Sequence, residues 1–337
     1  MSKHFLQIGS IPWKYGLIVV PFIFINLFIF LDTEATNIAR AKIVSIWSNL
    51  RPSKKDPPLR KPTSALLNET EEYVALCVAV KDQSNDLPEF FIHHYYHMGI
   101  RRFYIVDDGS NPPLETFTDY GIPREAITFK YWDPEETRDR KMQPIFYNDC
   151  IQNWGSKHTW MGFVDTDEFF DTPGPESLPE ILKTFEANAS VGALGVNWRT
   201  HTSSGLLKRP LSNRKSFTTC IIDEAAPNGV VSDNLHIKSI VKTSAYINPE
   251  SPHTFHLKDS AITVGEHGDE VWEPPRRSPA TRDRIGLHHY GVKSREEYEE
   301  KILRSNANKN PKGWSWWDHI EDEMPHVECL EMMLYDP

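Results

Sequence analysis

Asp165, Asp167 and Glu168 stand at the end of an apolar run, in the stretch TWMGFVDTDEFFD from Thr159 to Asp171. The run reads as a buried strand that feeds a charged loop. In an extended segment residues two apart project to one side, so the carboxylates of Asp165 and Asp167 are expected side by side at the strand's carboxyl end. Open α/β sheets bind their ligands at that end. Two carboxylates together in a partly dry cleft repel each other unless a cation neutralises them. An all-oxygen set suits Mg2+ or Mn2+, which can hold phosphate oxygens in its remaining positions. A competing reading makes Asp165 a turn or helix cap and leaves Asp167 solvated.

A second acidic pair, Asp107 and Asp108, follows RFYIV (Arg102 to Val106) and precedes Gly109-Ser110. A carboxylate there can accept hydrogen bonds from ribose hydroxyls or from the N–H of a uracil ring. Asp-Gly-Ser is equally an ordinary turn signal.

Both pairs need strands to hold them. YVALCVAV (Tyr73 to Val80) reads as a buried strand and LPEFFIHHYYHMG (Leu87 to Gly99) as a helix closed by glycine. A strand at Arg102 to Val106, a helix around Leu114 to Tyr120, a strand at Ile127 to Trp132 and a helix around Gln143 to Trp154 lead into the acidic stretch. This alternation predicts a largely parallel, doubly wound α/β sheet. Beyond it the pattern gives a helix at Leu178 to Asn188, strands at Gly192 to Trp198, Ser216 to Ile222, His236 to Ile247 and Thr254 to Leu257, and a last helix at Arg295 to Asn308. There is no GxGxxG, which leaves a dinucleotide oxidoreductase unsupported.

The composition agrees with a folded enzyme-sized domain: 337 residues with 12% aromatics, ten of them Trp. A formal charge of -10 argues against a nucleic-acid backbone as partner. The cysteines, Cys77, Cys150, Cys220 and Cys329, form no CxxC pair, and their spacing leaves disulfide pairing open. GLIVVPFIFINLFIFL (Gly16 to Leu31) is uncharged, a helix of roughly 24 Å against a hydrocarbon core of roughly 30 Å. Lys3 and Lys14 precede it, Asp32 and Glu34 follow, and no small-residue cleavage site comes after Leu31. We read residues 1–15 as a cytoplasmic tail, 16–32 as an uncleaved signal anchor, 33–72 as a stem rich in Pro, Lys and Arg, and 73–337 as a lumenal domain. That is a single-pass type II protein of the Golgi or endoplasmic reticulum membrane, and the short span suits such thinner bilayers. Asn68-Glu69-Thr70 and Asn188-Ala189-Ser190 are glycosylation sequons.

At this point the chain resembles glycosyltransferases of the GT-A fold, and more closely glycosyltransferase family 92 with its family-2-like relatives. The matching pieces are VAVKDQSNDLPEFFIHHYYHMGIRRFYIVDDGS, FYNDC, WMGFVDTDEFF, the Ser203-Ser204-Gly205 loop, HIKSIVK and HHYGVKSREEYEEKILR. Asp82 stands after Lys81 where those enzymes commonly carry Asn. The resemblance implies a Rossmann-like, mostly parallel sheet flanked by helices, and a metal site of Asp165, Asp167 and a late histidine. His253, His256, His288 and His289 are the candidates, and His289 is chosen for its place in HYGVKS. It further implies donor contacts from Lys81, Asp82, Asp107, Asp108, Asp165, Ser204, Gly205, Lys238 and Lys293. Mn2+ or Mg2+ would be the cofactor, a nucleotide sugar such as UDP-galactose the donor, and a glycan or glycoconjugate hydroxyl the acceptor. Inversion requires a carboxylate base, for which Asp233, Glu266 and Glu168 are candidates. The rival classes are a noncatalytic nucleotide-sugar or glycan-binding protein and a metal-dependent phosphoester hydrolase, which would need more metal ligands than this set provides.

Overall fold

The computed structural model describes residues 72–133, 141–304 and 313–335, all within one compact unit, Leu59–Pro337. The expected tail, anchor and most of the stem fall outside the described residues. Among those described, no helix is long and apolar enough to cross a membrane.

The strands are β1 (Val74–Val80), β2 (Arg102–Asp107), β3 (Ile127–Tyr131), β4 (Trp160–Phe163), β5 (Glu168–Asp171), β6 (Val191–Thr200), β7 (Thr219–Ile221), β8 (Ile237–Lys242), β9 (Tyr246–Pro249), β10 (Phe255–Leu257), β11 (Ile262–Val264), β12 (Gly286–His289) and β13 (His326–Glu328). The helices that matter for the site are α1 (Leu87–Ile92), α2 (Met142–Trp154), α3 (Leu178–Glu186), α4 (Asn213–Ser216), α5 (Arg295–Arg304) and α6 (Trp314–Asp318). The main sheet runs β3-β2-β1-β4-β8-β6-β12-β5, with β11 on β6.

The first half is the expected parallel array, β1 pairing with β2 on one side and β4 on the other. From β8 onward the sheet is mixed: β8 is antiparallel to both β4 and β6, and β5 is antiparallel to β12. The fold is therefore α/β with a mostly parallel sheet. The parallel array follows from β1, whose side chains alternate between two cores. Leu76, Val78 and Val80 pack with Phe90 and Phe91 of α1 and Ile181 and Leu182 of α3. Ala75 and Cys77 pack with Phe146, Tyr147 and Cys150 of α2. Burial on both faces is what a parallel strand requires. A disulfide, Cys77 to Cys150, fastens α2 to β1, and a second, Cys220 to Cys329, fastens β7 to the chain beyond β13.

The helix expected around Leu114 to Tyr120 is only a 3-10 turn, Leu114–Thr116. Phe117 turns back to extended backbone, φ -79° and ψ 133°, and ends it. The strand expected from His236 to Ile247 is broken by a turn at Thr243–Ala245 into β8 and β9. β5 and β12 were not foreseen as strands, and they are the two that frame the site.

Candidate functional site

β4 ends at Phe163, and Asp165 to Glu168 form a turn closed by the Glu168 N–H on the Asp165 carbonyl at 3.1 Å. The expected side-by-side carboxylates on an extended strand are thereby corrected. Asp165 accepts from Gln143 Nε2 of α2 at 2.7 Å and from Lys238 Nζ of β8 at 2.9 Å. Asp167 instead accepts from Lys301 Nζ of α5 at 2.8 Å. A reversing chain sends the two acids to different partners.

Beneath the turn lies Glu168, fully buried. Its Oε2 takes the Asp165 N–H at 2.8 Å and lies 3.3 Å from Lys238 Nζ. Burial, opposed by Lys238 but helped by Asp165 and Asp167, pushes the Glu168 carboxyl up to about 8. Glu168 is thus a strut of the turn with no route to an acceptor, a correction to its candidacy as base. Lys238 is likewise corrected as a donor contact: only 1% exposed, it is the buried counter-ion of Asp165 and Glu168.

Asp167 faces a pocket walled by the turn ahead of α1, through Gln83 and Asp86, and by α5. Ser294 and Glu297 make a capping box at the start of α5, Ser294 Oγ giving its proton to Glu297 Oε2 at 2.6 Å. Glu297, Lys301 and Arg304, four and three residues apart, then share one helix face, and all three line the pocket. Across it Asp86, at the amino end of α1, holds Lys293 Nζ at 2.7 Å and Arg209 at 3.0 Å. Burial opposes ionisation of Asp167, but Lys301, His289 and Lys293 outweigh it and hold the carboxyl well below the usual carboxylate range. Asp86 is held low in the same manner, burial being outweighed by Lys293 and Arg209.

The four candidate histidines separate cleanly. His288 and His289 alternate across β12: His288 turns to His201, Nδ1 to Nε2 at 2.8 Å, away from Asp167. His289 packs against Trp198, the rings tilted by 36° with centroids 4.1 Å apart, and acts electrostatically on Asp167. His253 is bonded to the Ile237 carbonyl, and His256 is exposed on the small β9–β10 sheet. Gly291 keeps space beside His289, since a Cβ there would come within 2.9 Å of Nε2 and 2.2 Å of the Trp316 ring. Of the expected metal ligands, Asp167 and His289 are the two in electrostatic contact, whereas both Asp165 oxygens accept hydrogen bonds, from Gln143 and Lys238. Among the described residues, the clusters of three ligand atoms within 4.8 Å are His201/Cys220/Cys329, whose sulfurs form the disulfide, and Glu266/His267/Asp283. Neither includes Asp165, Asp167 or His289.

Several expected donor contacts are otherwise employed. Asp107 accepts from the N–H groups of Ser110 and Leu114, both at 2.8 Å, so its oxygens hold the turn. Asp108 is buried, its N–H on the Val80 carbonyl at 2.7 Å. Asp82, at φ 49°, accepts from the Asn111 N–H, and Lys81 beside it is half-buried. Ser204 Oγ accepts from Thr218 and Thr219, and the Gly205 N–H goes to Ser203 Oγ, which ties that loop to β7. Of the base candidates, Asp233 accepts from Trp316 Nε1 at 3.1 Å, one ring away from His289 and Lys301. Glu266 is corrected: it accepts from the N–H groups of Asp283, Arg284 and Ile285 and shapes the approach to β12. Glu266→Ala is expected to cost about 2–4 kcal/mol in a denaturant melt, because buried backbone donors lose a charged acceptor.

Gln83, Asp86, Gln143, Arg209, Gly291 and Lys301 escaped the sequence reading. The Ser294-to-Glu297 box followed by charges at Glu297, Lys301 and Arg304 was the signal that α5 presents a charged face inward.

The family model for glycosyltransferase family 92 matches residues 72–267. A glycosyltransferase family 92 protein of Oryza sativa subsp. japonica is 26% identical over 213 residues, covering 59% of this chain and 34% of that protein. One from Ricinus communis is 24% identical over 253 residues, covering 74% of this chain and 41% of that protein. The chain thus spans well under half the length of these curated relatives. Among solved structures, a mannosyltransferase from Pyrobaculum calidifontis in complex with GDP-Man and Mn2+ aligns at TM-score 0.28 and 16% identity, over 59% of this chain and 51% of that one.

Proposed function

Since the chain belongs to glycosyltransferase family 92, we propose that it moves a hexose from a nucleotide-sugar donor to a glycan or glycoconjugate hydroxyl, with inversion. The observation that carries the reading is a pocket in which Arg209, Lys293, Lys301 and Arg304 outnumber the acids Asp86, Asp167 and Glu297. Such a lining suits a ligand with concentrated negative charge, as a diphosphate is. UDP-linked hexoses, UDP-galactose among them, are the donors to try first.

Asp167 and His289 would hold Mn2+ or Mg2+, which when bound neutralises the charge that develops on the departing diphosphate. Arg209 and Lys293 are set in place by Asp86 and add fixed positive charge at no reorganisation cost. Asp233 is the base this reading retains, with Trp316 Nε1 orienting its carboxylate. It would take the acceptor's proton as the hydroxyl attacks the anomeric carbon. Residues 16–32 would anchor the chain in the Golgi or endoplasmic reticulum membrane with the folded domain lumenal. Two disulfides among four cysteines support an oxidising compartment.

A thermal-shift panel of nucleotide sugars with MnCl2 tests the donor half. A donor at 100 times its Kd adds about 2.7 kcal/mol and raises the melting point. No shift with any nucleotide sugar would remove the donor assignment.

A further inference from the structure

Lys301 sits where an incoming cation would have to bind. Its Nζ is 2.8 Å from Asp167 Oδ2, 2.9 Å from the Gly291 carbonyl oxygen, and 5.3 Å from the centre of the Trp316 ring. The other cations around the pocket are committed differently. Lys293 is tied to Asp86, and Arg209 is shared between Asp86, Glu297 at 2.9 Å and Glu300 at 2.6 Å. Lys301 is thus the cation in direct contact with the carboxylate proposed to bind metal.

An ammonium and a divalent ion on one carboxylate oppose each other, because the like charges then repel across a few ångströms of partly dry protein. Lys301 is able to leave. Its side chain is 23% exposed, its stem is flexible, and the Gly291 carbonyl and Trp316 face remain as partners during the swing. The direction in which it can move is the pocket it already lines.

We propose that Lys301 exchanges partners: it neutralises Asp167 until a divalent cation takes that carboxylate, and then passes to the diphosphate of the donor. The inference rests on the donor reading above and deepens it, since it makes cation and diphosphate binding mutually dependent. Lys301 opposes the cation alone and favours the cation and diphosphate together, a coupling that acts equally in both directions. Its role is positioning of charge at the leaving group.

The test compares the wild-type chain with Lys301→Met and Lys301→Arg. Mn2+ binding in the absence of nucleotide is read by electron paramagnetic resonance of free Mn2+. UDP and GDP binding at saturating MnCl2 is read by equilibrium dialysis. Removing the ammonium is expected to tighten Mn2+ alone by about tenfold and to weaken diphosphate by about tenfold, the scale of one charge-assisted hydrogen bond. Lys301→Arg, which keeps the charge, should return both toward wild type. Opposite signs cannot come from loss of folding, which would weaken both ligands. Unchanged Mn2+ affinity in Lys301→Met, or both affinities falling together, overturns the exchange. Wild-type protein that retains neither UDP nor GDP with Mn2+ overturns the donor reading, and the exchange with it.

Discussion

Asp167→Ala is expected to lower sugar transfer by about 10³-fold or more, because it removes the carboxylate that would hold the cation beside the leaving group. The same variant should keep its fold. Asp167 faces Lys301, whose side chain is 23% exposed and can turn to water, so the stability cost is about 1–2 kcal/mol. Steady-state transfer and a denaturant melt on one preparation separate the two effects. Transfer within tenfold of wild type would remove Asp167 from the site.

Lys238→Met is expected to give the largest loss of stability, about 3–5 kcal/mol at pH 8, since it strips the buried cation from between Asp165 and Glu168. The loss depends on pH with a definite sign. Lys238 is among the groups that lower the Glu168 carboxyl toward ionisation, against burial and two neighbouring acids that leave it at about 8. Without the lysine that carboxyl rises further above its unfolded value, so folded Glu168 binds its proton more tightly than the unfolded chain does. Its contribution is present at low pH and fades as pH rises from the unfolded value of 4.5 through the folded one. The deficit of Lys238→Met relative to wild type should therefore be smaller at pH 5 than at pH 8. A melting point equal to wild type at pH 8 would show that the lysine does not hold the turn.

The parallel half of the sheet was legible because β1 and β2 carry uninterrupted apolar runs and α2 follows with its own apolar face. The strand at β12 was not, since HHYG reads as a loop until β6 on one side and β5 on the other supply its partners. Asp165 and Asp167 mark the acidic turn in the sequence but not its geometry. Whether residues after β4 continue extended or reverse is decided by the Glu168 carboxylate reaching back to the Asp165 N–H, a contact that spacing does not encode. The pocket wall depended on tertiary pairing in the same way. Asp86 and Lys293 lie 207 residues apart in the chain, and only the tertiary fold joins them. Asp107 and Ser204 illustrate the opposite limit. Their residue types suit a ligand, yet backbone N–H groups take up the Asp107 carboxylate and the Ser204 hydroxyl.

The most direct test is release of nucleoside diphosphate from a panel of nucleotide sugars by the wild-type chain, with and without a mixed glycan acceptor, in MnCl2 and again in EDTA. The account predicts release that requires the acceptor, stops in EDTA and returns with Mn2+. Acceptor-independent liberation of phosphate, or no turnover of any donor, would contradict it.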